Sequence, residues 1–223
     1  MPLDRAARRV SDVLRDEHDP TLADCLQGWL HHSTPWIIAT ATGAALGARL
    51  ALGKWVRTDV APVVAIAALQ PFTEWAIHTY VLHSRAVRVG PIVIDLHAAR
   101  EHRRHHRDPK AFEPIFIPLA DLVLALGAGI VVLPLVLPLR TALTTFTAAA
   151  AMAGVYEWTH FLIHTPYRPR HRRYRRIARG HRLHHYRNER YWMGVTSGLA
   201  DRLLGTAPPR SHVAVSDTVR TVV

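Results

Sequence analysis

Cysteine is almost absent from this 223-residue chain. Cys25 stands alone, which excludes an internal disulfide and any thiolate-built zinc or iron–sulfur site. Lysine is nearly as scarce, with only Lys54 and Lys110, so the formal charge of +11 rests almost wholly on arginine, whose planar fork suits phosphate and carboxylate. Residues 1–34 lack an apolar run free of charge, which excludes a signal-peptide core. No low-complexity tract occurs, and nothing repeats except a histidine spacing. The length allows one sizeable domain.

Hydrophobic residues are plentiful instead, at 49 % of the chain, and they are segregated from the basic ones. That segregation indicates a membrane protein rather than a mixed soluble surface. Four apolar spans run from Trp36 to Leu52, Val60 to Leu82, Leu119 to Leu139 and Thr141 to Ile163, each near the ~20 residues a membrane helix needs. The first is the weakest, being short and interrupted by Arg49, which could snorkel to the far interface. The third and fourth meet so closely at Pro138–Arg140 that a helical hairpin is expected. Arginine is dense in Ser84–Lys110 and Thr165–Arg190. The positive-inside tendency therefore places both segments on the cytoplasmic side with both termini, and leaves Gly53–Asp59 and the surroundings of Arg140 on the other side. Leu3, Ala7, Val10 and Leu14, followed after Pro20 by Leu22, Leu26, Trp29 and Leu30, predict an amphipathic interfacial segment over 1–34, a solvated linker being the alternative. Segment 207–223, with two prolines and little periodicity, is expected to be a disordered tail. The intervening 35–206 form the membrane-embedded domain. The fold class expected is thus an all-α membrane protein with about four transmembrane helices and a cytosolic histidine-rich helical cap.

Ten of the 16 histidines fall in four clusters where apolar sequence gives way to basic: His78/His83 in HTYVLH, His102/His105/His106 in HRRHH, His160/His164 in HFLIH, and His181/His184/His185 in HRLHH. Neutral imidazole is the commonest protein metal ligand, and ten of them suit a dinuclear site with about five nitrogens per ion. Residues three and four apart share a helix face, so His102 with His105 and His106, His181 with His184 and His185, and His160 with His164 can each converge on one small volume. His78 and His83, five apart, diverge by more than a third of a turn, so they serve different metals or straddle a helix end. Such a nitrogen set accommodates Fe, Zn, Cu or Ni. Glu74 and Glu157 precede their histidines by about a turn and are placed to accept a second ring N–H, the alternative being polar residues at a water-accessible helix end; Asp95 and His97 are either a further such pair or plain loop residues. Arginines in HRRHHR and GHRLHHYR disfavour imidazole protonation and keep the ligands able to bind metal. His18, His31, His32, His171 and His212 read as ordinary surface or satisfied residues. Arg168–Arg182 could attract nucleic acid by charge alone. It follows a membrane span and has few stacking residues, so lipid headgroups are its expected partner and nucleic acid is not.

The four motifs resemble the fatty acid hydroxylase/sterol desaturase superfamily of integral-membrane di-iron oxygenases over His78–Thr206. The likeness is closest to the fatty acid 2-hydroxylase branch. There HRLHHYRNERYWMGVTSGLADRLLGT resembles the pattern H-x-x-H-H-Y-x-N…G-V-T-S…D…G-T, and HRRHHRDPKAFEPIFIPL resembles H-x-x-H-H-x-x-P-x-D-x-x-x-L-V-x-P-P with Phe112–Glu113 out of the usual order. Met193 stands where an aromatic is common and Ala200 where a tryptophan is common. The resemblance implies a four-helix membrane fold with a cytosolic cap, and makes His78, His83, His102, His105, His106, His160, His164, His181, His184 and His185 ligands of two irons, with zinc a substitute in purified protein. Glu74, Glu157, Asp95, His97 and Asn188 lie outside that ligand set as expected supporting residues. The reaction implied puts one oxygen atom of O2 into a C–H bond of a lipid, with two electrons from a donor. About thirty-five residues precede the first span without a haem-binding motif, so the donor is expected to be a separate protein.

The same histidines would serve carotenoid ring hydroxylation, sterol oxidation or desaturation. One geometric point favours oxidation near a polar head. With ~1.5 Å of rise per residue, the clusters lie within a turn of the helix ends, at the depth of the first acyl carbons. A non-catalytic metal carrier is the reading from another class, but carriers gather their ligands near the bilayer midplane. A membrane-anchored nucleic-acid or partner binder is weaker still. Oligomeric state is not legible in the sequence.

Overall fold

The computed structural model describes residues 19–222. The amphipathic pattern Leu3–Leu14 and His18 lie outside them. Helix α1 (Leu22–Leu30) opens with a capping box, Thr21 and Asp24 satisfying each other's backbone N–H groups. After one turn α2 (Ser33–Ala51) follows, then α3 (Val60–Ile77), which runs on into a π-helical turn over His78–Leu82. A short antiparallel hairpin, β1 (Val87–Val89) and β2 (Ile92–Ile94), precedes α4 (His97–Arg107). Helices α5 (Leu119–Val136) and α6 (Leu139–His164) form the expected hairpin about Leu137–Pro138, where α5 cannot continue. Helix α7 (Arg172–Tyr186) and the single turn α8 (Leu199–Leu203) complete the set.

Among the described residues two runs, Arg57–Leu82 and Glu113–Val136, are long and apolar enough to cross a membrane. Their apolar side chains point outward: Val64, Leu69, Leu124 and Leu135 are all exposed, as suits helices bathed in hydrocarbon rather than packed in a soluble core. Helix α6 is central. Its Phe146 and Ala150 pack with Ala45 of α2 and with Leu126 and Leu133 of α5, and Gly154 lets Ile38 approach so closely that a Cβ there would stand 3.3 Å from it.

The structure corrects three expectations. The hairpin at Val87–Ile94 departs from an all-α fold; VRVGPIVI carries the β-branched residues and the Gly-Pro turn that make it. Arg49 does not snorkel. It is 1 % exposed, its Nη2 donates to Asp59 at 2.6 Å, its Nε to Thr144 and its Nη1 to the Gly53 carbonyl, and its guanidinium lies over Trp55. A buried guanidinium needs a carboxylate and further acceptors, and the turn at Arg57–Asp59 supplies the carboxylate. Third, residues 207–222 are packed rather than disordered. Val213, Val219 and Val222 are buried, Arg187 Nε donates to the Val213 carbonyl, and Ser216 N donates to the Arg187 carbonyl. Sparse periodicity concealed a segment held by hydrogen bonds to Arg187, the residue that follows α7.

Candidate metal centre

The ten clustered histidines come together in two groups of five. His78, His83, His102, His106 and His184 form site A; His105, His160, His164, His181 and His185 form site B. Within each, one ring nitrogen per residue lies within 4.8 Å of all the others. The Nε2 atoms of His78, His83 and His106 stand 3.1 Å from that of His102, and His184 Nε2 stands 3.1 Å from His106 Nε2. In site B, His164 Nε2 stands 3.1 Å from His105 Nε2 and 3.2 Å from His181 Nε2, and His185 Nε2 is 3.0 Å from His181 Nε2. Metal–imidazole bonds of about 2.0–2.1 Å put neighbouring ligand nitrogens about 3 Å apart, so both groups fit an ion. His160 Nε2 supports the fit: it is buried with no hydrogen-bond partner, yet belongs to site B. The two sites abut, with His106 and His185 ring centroids 4.2 Å apart.

The grouping differs from what spacing predicts. The H-x-x-H-H sets do not each converge on one volume. Their i,i+4 pairs, His102/His106 and His181/His185, go to sites A and B respectively, while the middle residues cross over, His105 to B and His184 to A. A histidine directly beside an i+4 ligand points about 100° away from it around the helix, so an adjacent second ion takes it up. Of the two alternatives for His78 and His83 the structure takes the second: they straddle the end of the helical run, His83 being its cap, and fall in one group. The π-helical turn between them, closed by His83 N donating to the His78 carbonyl at 3.1 Å, widens the helix so that residues five apart share a face.

The second ring nitrogens also find partners other than those expected. His78 Nδ1 meets the Met193 carbonyl at 2.6 Å, His106 the Val219 carbonyl at 2.9 Å, His184 the Tyr191 carbonyl at 2.9 Å and His160 the Ile115 carbonyl at 2.7 Å. These contacts make Nδ1 the protonated nitrogen and leave Nε2 free for a metal. Glu74 and Glu157 hydrogen-bond none of the ten clustered imidazoles. Buried Glu74 accepts from Val195 N, Thr196 N and the Thr196 hydroxyl; buried Glu157 accepts from the Thr34 hydroxyl at 2.9 Å and from Ile117 N at 3.1 Å. The two arrangements match. In each, a carboxylate one turn before a histidine binds the N–H two residues after the carbonyl that orients that histidine, Val195 after Met193 and Ile117 after Ile115.

The other expected supporting residues lie apart from the rings. Asp95 pairs with Arg103 at 2.6 Å, His97 with Asp121 at 2.8 Å, and Asn188 bonds the Ala214 carbonyl and Arg190 N. Burial, more than the flanking arginines, keeps the imidazoles of α4 and α7 neutral: it holds His102, His105, His181, His184 and His185 well below the ordinary histidine range and brings His106 to about 3, with neighbouring imidazoles adding to the effect. Neutral rings are the metal-binding form.

A model of the fatty acid hydroxylase family matches residues 63–206, which includes every one of these histidines. The chain belongs to the fatty acid hydroxylase family. It is 29 % identical over 114 residues to the dihydroceramide fatty acyl 2-hydroxylase FAH2 of Arabidopsis thaliana (48 % of this chain, 45 % of the relative), and 24 % identical over 143 residues to the fatty acid 2-hydroxylase of Macaca fascicularis (63 % and 38 %). The chain thus spans less than half the length of these curated relatives. Its fold is similar to a structure of full-length scs7p in which only the hydroxylase domain is visible, with TM-score 0.65 and 20 % identity over 85 % of this chain and 69 % of that one.

Family membership gives the G-V-T-S…D…G-T stretch a structural meaning. Asp201 accepts from Met193 N at 2.9 Å, Gly194 N at 2.8 Å and the Thr206 hydroxyl at 2.6 Å, while Glu74 takes the next two N–H groups. The loop is so tightly held that a Cβ on Gly194 would collide with the Ser197 carbonyl. The result is a Met193 carbonyl aimed at His78. Because the backbone carbonyl makes the contact, the Met193 side chain is not what orients His78. Sequence reasoning missed Asp201 as a support, although the motif contained it, and nothing in the sequence signalled Val219.

Proposed function

We propose that this fatty acid hydroxylase family member is a membrane di-iron monooxygenase that hydroxylates a lipid acyl chain near its polar head, at carbon 2. Two abutting groups of five imidazole nitrogens, each spaced for one ion, carry this reading. All ten histidines act as ligands, to iron in the active form, with zinc able to replace it since an all-nitrogen set does not discriminate. When bound, the metal pair supplies the oxygen activation by which one atom of O2 enters a C–H bond and the other leaves as water, with two electrons from a donor and two protons from solvent. Helices α2, α3, α5 and α6 serve as the four membrane helices, and α4 with α7 as a cytoplasmic cap.

The protein's own part is to hold and to seal. His83 caps the helical run of α3 and His164 ends α6, so the ligands gather at one end of the bundle, where an acyl chain lying along the helices presents its first carbons. Carbonyls of Met193, Val219, Tyr191 and Ile115 fix four of the rings. The burial of eight of the ten histidines, all but His83 and His164, excludes bulk water from most of the ligand set. Elemental analysis of purified protein tests the centre: about two ions per chain are expected, since five nitrogens per ion use all ten rings, and one or none in folded protein overturns it. Lipid profiling of cells with and without the gene tests the reaction. 2-Hydroxy acyl lipids are expected, and hydroxylated carotenoids or altered sterols in their place reassign the substrate.

A further inference from the structure

The β1–β2 hairpin has no role in the metal centre, and its surface is unlike that of a cap facing water. Its register pairs Val87 with Ile94 and Val89 with Ile92, so these four side chains share one face. All four are more than half exposed, at 57 %, 52 %, 57 % and 63 %. The opposite face carries Arg88 and Val93, and Val93 is 51 % exposed. No acidic residue occurs between Ser84 and Ile94, while Arg85 and Arg88 are both exposed. An isolated two-stranded hairpin is marginal in water, and an unpartnered β-branched face on a soluble surface invites aggregation.

The occupant of that face is indicated by what precedes it. Only four residues separate the apolar run Arg57–Leu82 from Val87, and the five steps between Leu82 and Val87 reach at most about 18 Å. The hairpin is therefore tethered to the membrane end of α3, and its strands of three residues span about 10 Å, the thickness of an interfacial layer. Exposed Ile77 and Tyr80 on the last turns of α3 and Leu96 just after β2 extend the same apolar surface.

We infer that the hairpin Val87–Ile94 is an interfacial anchor, its apolar face immersed in the acyl boundary of the leaflet at the histidine end and Arg85 and Arg88 set among anionic headgroups. It thereby fixes the height of the segment joining His83 to α4. The inference rests on α3 being a membrane helix, and the experiment separates the two. Single cysteines at Ile92 and, as a reference, at the mid-α3 position Leu69 are placed in the full chain with Cys25 changed to Ala. They are labelled with a bimane fluorophore and reconstituted in phosphatidylcholine–phosphatidylglycerol nanodiscs containing lipids brominated at shallow or deep acyl positions.

The Ile92 label should be quenched most by shallow bromines, at a depth of about 5–10 Å, and the Leu69 label most by deep ones. Ile92→Cys combined with Val89→Asp should lose most of that quenching while Leu69 keeps its own. If the Leu69 label is quenched and the Ile92 label is not, the anchor is wrong and the membrane helix stands; if neither is quenched, the membrane reading itself fails. Oxidative cross-linking of Ile92→Cys between two chains in dilute nanodiscs, with no bromine quenching, would assign the face to a second copy and overturn the proposal.

Discussion

Sites A and B have the same number of rings and different supports. In site A, three of five Nδ1 atoms are held by carbonyls of Tyr191, Met193 and Val219, all from the chain that follows α7. In site B, Ile115 holds His160 this way and the Pro109 carbonyl lies beside His164, while the Nδ1 atoms of His105, His181 and His185 are buried with no partner among the described residues. Site A also needs a π-helical turn to bring His78 and His83 together, whereas His160 and His164 meet across an ordinary α-helical turn. The difference teaches that one half of the centre is fastened by long-range loops and the other by helix packing around α6. Disturbing residues 191–222 should therefore loosen one ion and spare the other.

Removing a ligand is the strongest way to break the comparison. His106→Ala should empty site A and His185→Ala site B, each abolishing turnover while elemental analysis still finds about one ion per chain, because the remaining five nitrogens are intact. Loss of both ions from either variant would show that the two sites load as one unit. His31→Ala and His171→Ala, outside both groups, should leave metal and activity near their starting values.

Next in size is the loop support of site A. Ending the chain at Thr206 removes the Val219 carbonyl from His106 and the Arg220 contact to the His106 carbonyl. Metal affinity at site A should fall ~10- to 100-fold, the usual cost of losing an outer partner of a ligand, with site B still loaded. Gly194→Ala should act on the same site by another route. Its Cβ meets the Ser197 carbonyl and Asp201, and forcing that loop outward costs about 1–3 kcal/mol and misaims the Met193 carbonyl. Equal loss of metal from both sites in either variant would remove the distinction between them.

Much of this architecture is readable from residue pattern, and the part that is not has a common cause. Periodicity and composition suffice for the helices, the α5–α6 hairpin and the ten histidines, since these depend on local spacing. Which histidine joins which site does not, because His105 and His184 are assigned by the helix facing them and not by their own. The same holds for Glu74 and Glu157. A carboxylate one turn from an imidazole looks like its partner in one dimension, but in the fold both are claimed by backbone N–H groups more than thirty residues away, which are costly to leave unpaired when buried. Arg49 and segment 207–222 are likewise settled by contacts with Asp59 and Arg187 that no local pattern encodes.

The smallest expected effect comes from the two carboxylates, and it sharpens the comparison most. Glutamine retains one carbonyl acceptor, and the hydroxyls of Thr196 and Thr34 can rotate to accept from its NH2 group. Glu74→Gln and Glu157→Gln should therefore keep both ions and lose no more than about 10-fold in activity. Alanine leaves buried donors unpaired at about 1–3 kcal/mol each: Val195 N and Thr196 N for Glu74, Ile117 N for Glu157. Glu74→Ala should thus loosen site A more than Glu157→Ala loosens site B, and each should spare the opposite site. Metal content and activity measured together in all four variants decide the matter. A glutamine variant that loses one ion outright would mean that the carboxylate binds metal itself, and that the matched carboxylate–amide supports are not what holds the two halves of the centre in register.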